Sequence, residues 1–353
     1  MIVGIVGLPR SGKTTVFNAI TGSNAPVDTF TGAETTHTAT VWVPDARLEK
    51  LREVCHPKKY TPASIQFRDF SIVSGEGSEN RDKNPQLFAA VREVDAIVKV
   101  ARGFPSIDGT APNPEDDLDR IGTEFLFADL EIIEKRIDKL ERSTKKPHIN
   151  LEQEKRELEL LKVCHQHLLD ERPISEIHMN EEQDKLVRGF RFLTQKPVIV
   201  ILNSPDEGSD MAPALAKTHP SVVDMRGRLE MEIAQLPPDD RKMFMDDMGI
   251  TDAASARIVR ACYGLLGLIS FFTVGPDEVR AWTIGAGEHV VKAAGTIHTD
   301  LAKGFIRAEV INFADTAPVG HDFKKAHSTG LTRLEGREYQ VRDGDIIEIR
   351  FNI

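Results

Sequence analysis

Gly7-Leu8-Pro9-Arg10-Ser11-Gly12-Lys13-Thr14 follows directly on the apolar run Ile2-Val3-Gly4-Ile5-Val6. A GxxxxGKT stretch placed after a strand and before a helix is a P-loop. Such a loop turns successive backbone N–H groups inward and forms an anion cradle at the N-terminus of the helix that starts near Lys13. In this reading Gly7, Leu8, Pro9, Arg10, Ser11, Gly12, Lys13, Thr14 and Thr15 surround a nucleoside triphosphate. Lys13 reaches the β- and γ-phosphates, and the Thr14 hydroxyl coordinates magnesium.

Working outward, strand-like runs recur at Ser64 to Phe67, Ala96 to Val100, Val198 to Leu202 and Ser221 to Val223, with helical stretches between most of them. The alternation predicts an α/β fold: a parallel sheet covered by helices, with ligands at the carboxyl ends of its strands. Between Ala96 to Val100 and Val198 to Leu202 the character changes. From Glu115 to Arg188 the chain is dense in Glu, Lys and Arg, and Leu126, Leu130, Ile133, Ile137 and Leu140 recur in a 4-3-4-3 spacing. That spacing is the seam of a helical hairpin. Lys146-Pro147-His148 breaks it, and Leu158, Leu161 and Leu168 mark the second helix. The charges on this insertion read as a solvated face. From Leu268 onward, short strands at Ser270 to Val274, Val279 to Thr283 and Ile306 to Ile311 surround a helical stretch near His289 to Ala294. The chain closes with Tyr339-Gln340-Val341, the turn Asp343-Gly344-Asp345 and Ile346 to Phe351, a small α+β domain.

Composition narrows the classes. A chain of 353 residues is long enough for two or three cores, and its net charge of −10 argues against a globally basic nucleic-acid-binding protein. Cys55, Cys164 and Cys262 are far apart with no CxxC pair, which fits a reducing compartment and offers no zinc site. No run approaches the roughly 18 apolar residues of a membrane span. A cytoplasmic protein with no membrane association is expected, acting as a monomer.

Arg92-Glu93-Val94-Asp95-Ala96-Ile97, Val279-Arg280-Ala281-Trp282-Thr283-Ile284, Ala293-Ala294-Gly295-Thr296-Ile297-His298-Thr299-Asp300, Lys303-Gly304-Phe305-Ile306-Arg307-Ala308 and Asp343-Gly344-Asp345 together resemble the Obg-like ATPase, or YchF, family of the translation-factor-related GTPase class. The resemblance spans nearly the whole chain. It implies a P-loop G domain over 1–112 and 191–267, a helical coiled-coil insertion over 113–190, and a C-terminal β-grasp TGS domain over 268–353. It also implies Mg2+ as cofactor, and a ribosome or RNA partner met through the TGS and coiled-coil domains.

Several positions depart from the family's pattern. Arg10 stands where the family has an Asn associated with a bound monovalent cation; a guanidinium cannot ligate a cation but can supply the same positive charge to phosphate oxygens, which makes Arg10 a candidate catalytic residue beside Lys13. Asp69 stands where the family has the magnesium-ordering Asp, at the end of the strand Ser64 to Phe67, and Ile72 replaces the expected Gly. Ile is β-branched and resists the backbone conformations that Gly permits. Of that segment's glycines, Gly75-Glu76-Gly77 remain. The threonine-rich loop Thr29 to Thr36 is the expected switch I, and either Thr35 or Thr36 closes over magnesium. Base recognition falls at Asn203-Ser204-Pro205-Asp206, with Gly227 in Met225-Arg226-Gly227 on the other side of the base. The family prefers ATP. The Asp206 carboxylate matches the paired donors of guanine, which keeps GTP open. No Gln follows Asp69 to orient a water, so slow hydrolysis resetting a conformational switch is expected, with a nucleotide-dependent RNA- or ribosome-binding module that hardly hydrolyses as the alternative.

Overall fold

The computed structural model describes residues 1–26, 37–71, 84–145, 147–248, 250 and 252–352. Its strands are β1 (Ile2–Gly7), β2 (His37–Trp42), β3 (Lys59–Thr61), β4 (Ser64–Ser71), β5 (Ala96–Arg102), β6 (Val198–Asn203), β7 (Val222–Met225), β8 (Leu268–Val274), β9 (Glu278–Gly285), β10 (Phe305–Asn312), β11 (Arg333–Glu335) and β12 (Asp345–Phe351). They form two six-stranded sheets, in the orders β2-β4-β1-β5-β6-β7 and β11-β10-β12-β8-β9-β3. The chain divides into two compact units, one of Met1–Ala39 with Gln66–Ser255 and the other of Thr40–Ile65 with Ala256–Ile353.

In the first unit β1, β4, β5, β6 and β7 pair in parallel, as their near-continuous apolar runs predict for strands covered on both faces. β4 runs further than its apolar residues suggest. Its ladder with β1 pairs Ile5 with Asp69 and Gly7 with Ser71, so Asp69 lies inside the strand and not after it. Backbone pairing carried the strand past the last apolar run.

The insertion is a pair of helices, Pro114–Ser143 and Leu151–Leu169. Asn113 caps the first through the Asp116 N–H, and Glu115, Asp116 and Asp117 lie in its positive first turn. Ile133, Leu140, Leu161 and Leu168 are buried in the seam, with Leu126, Leu130, Ile137 and Leu158 packed against it. Arg136 bridges the helices with two bonds to Glu157, at 2.6 and 2.7 Å. The expected solvated charged face has exceptions: Asp117, Asp129 and Glu157 are buried because each carboxylate accepts hydrogen bonds that replace water.

The second unit joins Thr40–Ile65 to Ala256–Ile353: within it β3 pairs in parallel with β9 and Asp343 holds Arg47. The Asp343 carboxylate accepts from the Arg47 guanidinium at 2.7 and 3.2 Å and from the Ser270 N–H at 2.9 Å. Asp345, fully buried, accepts from Tyr339, Asn312 and the Arg342 N–H. Tyr339-Gln340-Val341 contributes a single bridge, from Gln340 to His289. Phe271, Ile284, Val290, Ala293, Ala308, Val310 and Ile347 form this unit's core.

Candidate nucleotide site

Gly7 ends β1, and the chain turns through Leu8 to Ser11 into the helix Lys13–Thr21. Leu8 is buried in the core beneath the loop, while Pro9 and Arg10 are exposed at its bend. Arg10 has φ 65°, a left-handed conformation rare for a residue with a Cβ and concentrated at functional sites. Gly12 caps the helix with φ 81°, and no side chain takes up the helix's first N–H groups. A Cβ at Gly12 would collide with the Asn203 side chain, so glycine is required there on both counts. Thr15 is half-buried on the helix's first turn.

Lys13, Thr14 and Asp69 come together at the ends of β1 and β4. The Thr14 hydroxyl donates to Asp69 Oδ2 at 2.8 Å. Burial pulls the Lys13 ammonium below its usual range, and the charge of Asp69 works against that shift. Burial likewise pushes the Asp69 carboxyl up, opposed by the Thr14 bond, Lys13 and His37. Two buried oxygens at this site, Ser11 Oγ and Asp69 Oδ1, have no hydrogen-bond partner among the described residues. A hard divalent cation takes oxygen ligands of this kind, directly or through water, so Thr14 and Asp69 fit magnesium. Among the described residues no group of three or more His, Cys, Asp or Glu forms a metal site of the protein's own. Thr35, Thr36, Ile72 and Gly75-Glu76-Gly77 lie outside the described residues.

At the carboxyl end of β6, Asn203 is tied to the phosphate loop. The buried Asn203 side chain donates from Nδ2 to the Ser11 carbonyl at 3.0 Å and accepts at Oδ1 from the Gly227 N–H at 3.2 Å. It is a strut between the phosphate loop and the helix Gly227–Gln235. Gly227 leaves room for it, since a Cβ there would strike the Asn203 amide. Asp206 is exposed, and its Oδ1 accepts from the Leu229 N–H at 3.2 Å in the first turn of the same helix. The sequence places Asn203 and Asp206 together but does not reveal the strut; the buried hydroxyl of Ser11 also carries no pattern that would single it out. The Asn18 amide, missed as well, clamps the chain after the helix by bonding Ala25 N and O.

A phosphate loop after the first strand of a parallel sheet, a lysine at its helix start, and a threonine of that helix bonded to an aspartate of the neighbouring strand define a P-loop NTPase of the G-domain class. Residues 2–150 match the family model described as 50S ribosome-binding GTPase, and residues 268–352 match YchF-GTPase_C, described as a protein of unknown function (DUF933). The chain is 35% identical to the ribosome-binding ATPase YchF of Bacillus subtilis, over all of both chains, and 36% identical to that of Haemophilus influenzae over 99% of each. The solved YchF GTPase of Schizosaccharomyces pombe superposes with a TM-score of 0.84 at 27% identity, covering 99% of this chain and 97% of the other. The chain belongs to the YchF family. No helix among the described residues is long and apolar enough to cross a membrane.

Proposed function

We propose that this chain is a magnesium-dependent ATPase that associates with the ribosome. The observation that carries the nucleotide reading is the pairing of Thr14 with a buried Asp69 whose second oxygen has no partner, beside a buried Lys13 at an uncapped helix start. Thr14 and Asp69 would hold magnesium, which would offset negative charge on a bound triphosphate. Lys13 balances the same charge from the protein side, and the first N–H groups of its helix cradle the β-phosphate. Arg10 lies at the loop's outer bend, where a guanidinium reaches the γ-phosphate. No Gln stands just after the Asp69 to Ile72 stretch to orient an attacking water, so turnover is slow.

The ribosome enters through the names of relatives that match the chain from end to end. Those names also favour ATP over GTP. The helical hairpin and the C-terminal unit, built as a TGS domain, are the docking surfaces, and the protein works as a cytoplasmic monomer. Single-turnover hydrolysis of radiolabelled ATP, with and without ribosomes, tests the reading. Slow hydrolysis with co-sedimentation that depends on the nucleotide is expected. Equal sedimentation in every nucleotide state, with no hydrolysis, would contradict it.

A further inference from the structure

The phosphate loop, the strand that carries Asp69 and the helical hairpin share one apolar cluster. Leu8 of the loop and Phe70, next to Asp69, pack with Phe88 and Val91 of the helix Asn84–Arg92, with Ile121 and Phe125 of the hairpin's first helix, and with Leu193. Phe88 and Phe125 meet edge to face, with ring centroids 5.9 Å apart. Four residues further along each helix, Arg92 Nη1 donates to Asp129 Oδ1 at 2.6 Å. One helical turn thus separates an aromatic contact from an ion pair on the same two facing surfaces.

The pair is deeply placed. Asp129 is wholly buried and the Arg92 side chain is only 10% exposed. Asp129 also accepts from the Leu193 N–H at 3.1 Å and from the Thr194 N–H and hydroxyl at 2.9 and 2.8 Å. Arg92 donates in addition to the Ala128 and Arg191 carbonyls at 3.0 and 3.3 Å. Three segments therefore meet at one carboxylate and one guanidinium. A buried ion pair is weak evidence for stability, because apolar residues of similar volume often do as well. Its distinctive use is to permit one register where apolar packing alone would tolerate several.

We infer that Arg92 and Asp129 are positioning residues, the joint that couples the nucleotide site to the helical hairpin. Leu8 and Phe70 sense the loop and the Asp69 strand end; Phe88 and Phe125 carry displacement across the cluster; the ion pair makes the hairpin follow as a body. The inference rests on the nucleotide-binding reading above and adds to it which element responds and through which pair.

The test is amide hydrogen exchange on the full chain, with and without magnesium and a non-hydrolysable ATP analogue at saturation. In the wild type, exchange in the segment 114–143 should change by about fivefold or more on binding, a coupling of ordinary allosteric size. In Arg92→Met/Asp129→Asn, which removes both charges and keeps an acceptor for Thr194, the change should fall below about twofold while analogue affinity stays within about threefold. Arg92→Lys retains a donor to Asp129 and should keep at least half the wild-type response, which also guards against a double variant that fails to fold. A full response in a folded double variant would overturn the inference, as would a wild type that binds the analogue with no change in the hairpin. If the wild type binds no analogue by calorimetry, the nucleotide reading falls and the coupling falls with it.

Discussion

Two desolvated lysines in the same unit differ in what surrounds them. Lys13 starts the helix after the phosphate loop and Lys99 sits mid-strand in β5, and burial lowers the pKa of both. Around Lys13 stand a carboxylate with an unpartnered oxygen, an unpartnered hydroxyl and a helix start with no side-chain cap. Lys99 lies over the Phe125 ring, its Nζ 5.4 Å from the centroid, with Asp119 as its electrostatic partner. The lesson is that burial of charge does not mark a site; unsatisfied polar atoms around it do.

Lys13→Ala should weaken ATP binding by at least about 100-fold, or ~2.7 kcal/mol, without lowering the melting temperature. Full affinity in that variant would mean that the loop is not a phosphate site. Lys99→Met should do the reverse, leaving affinity intact and stabilising the fold by about 1–3 kcal/mol near neutral pH, because a desolvated ammonium is removed. Its pH dependence follows from a folded-state pKa pushed down from 10.5 to about 8. Between those values the unfolded chain holds the proton that the native chain has released, so wild-type stability rises with pH. Below about 8 both states are protonated and the burial cost is complete. The advantage of Lys99→Met should therefore be full below pH 8 and shrink toward pH 10.5, as denaturant midpoints at several pH values would reveal. A constant advantage would show that Lys99 is not desolvated.

Asn203→Ala sharpens the contrast from the loop's underside. It strips the partners from the Ser11 carbonyl and the Gly227 N–H, and should cost about 1–3 kcal/mol of stability. Nucleotide affinity should drop about tenfold, an indirect effect smaller than that of Lys13. An affinity loss without a stability loss would make Asn203 a direct base contact in place of a strut.

Features with a local cause were legible. The strand before Gly7, the 4-3-4-3 seam ending at Leu140 and the strands flanking Gly275-Pro276 each carry their periodicity or turn chemistry within a dozen residues. What escaped was long-range. Lys59-Tyr60-Thr61 is a strand only because β9 pairs with it, from more than 200 positions away, and nothing in its composition announces that. Arg47 finds Asp343 across 296 positions. Within the site, Asn203 and Asp69 could be singled out because each follows an apolar strand-like run. Asn203's bonds to Ser11 and Gly227 depend on two loops converging in space, and Asp129 was hidden in a run of charges that otherwise faces water.

In the proposed function the loop and Asp69 together form one magnesium–nucleotide site. Calorimetric titration of the wild-type chain with ATP and GTP, in magnesium and in excess chelator, tests it most directly. One ATP per chain should bind at least about tenfold more tightly with magnesium than without, a difference of ~1.4 kcal/mol, and more tightly than GTP. ATP affinity unchanged by magnesium would separate Asp69 from the nucleotide and contradict the account.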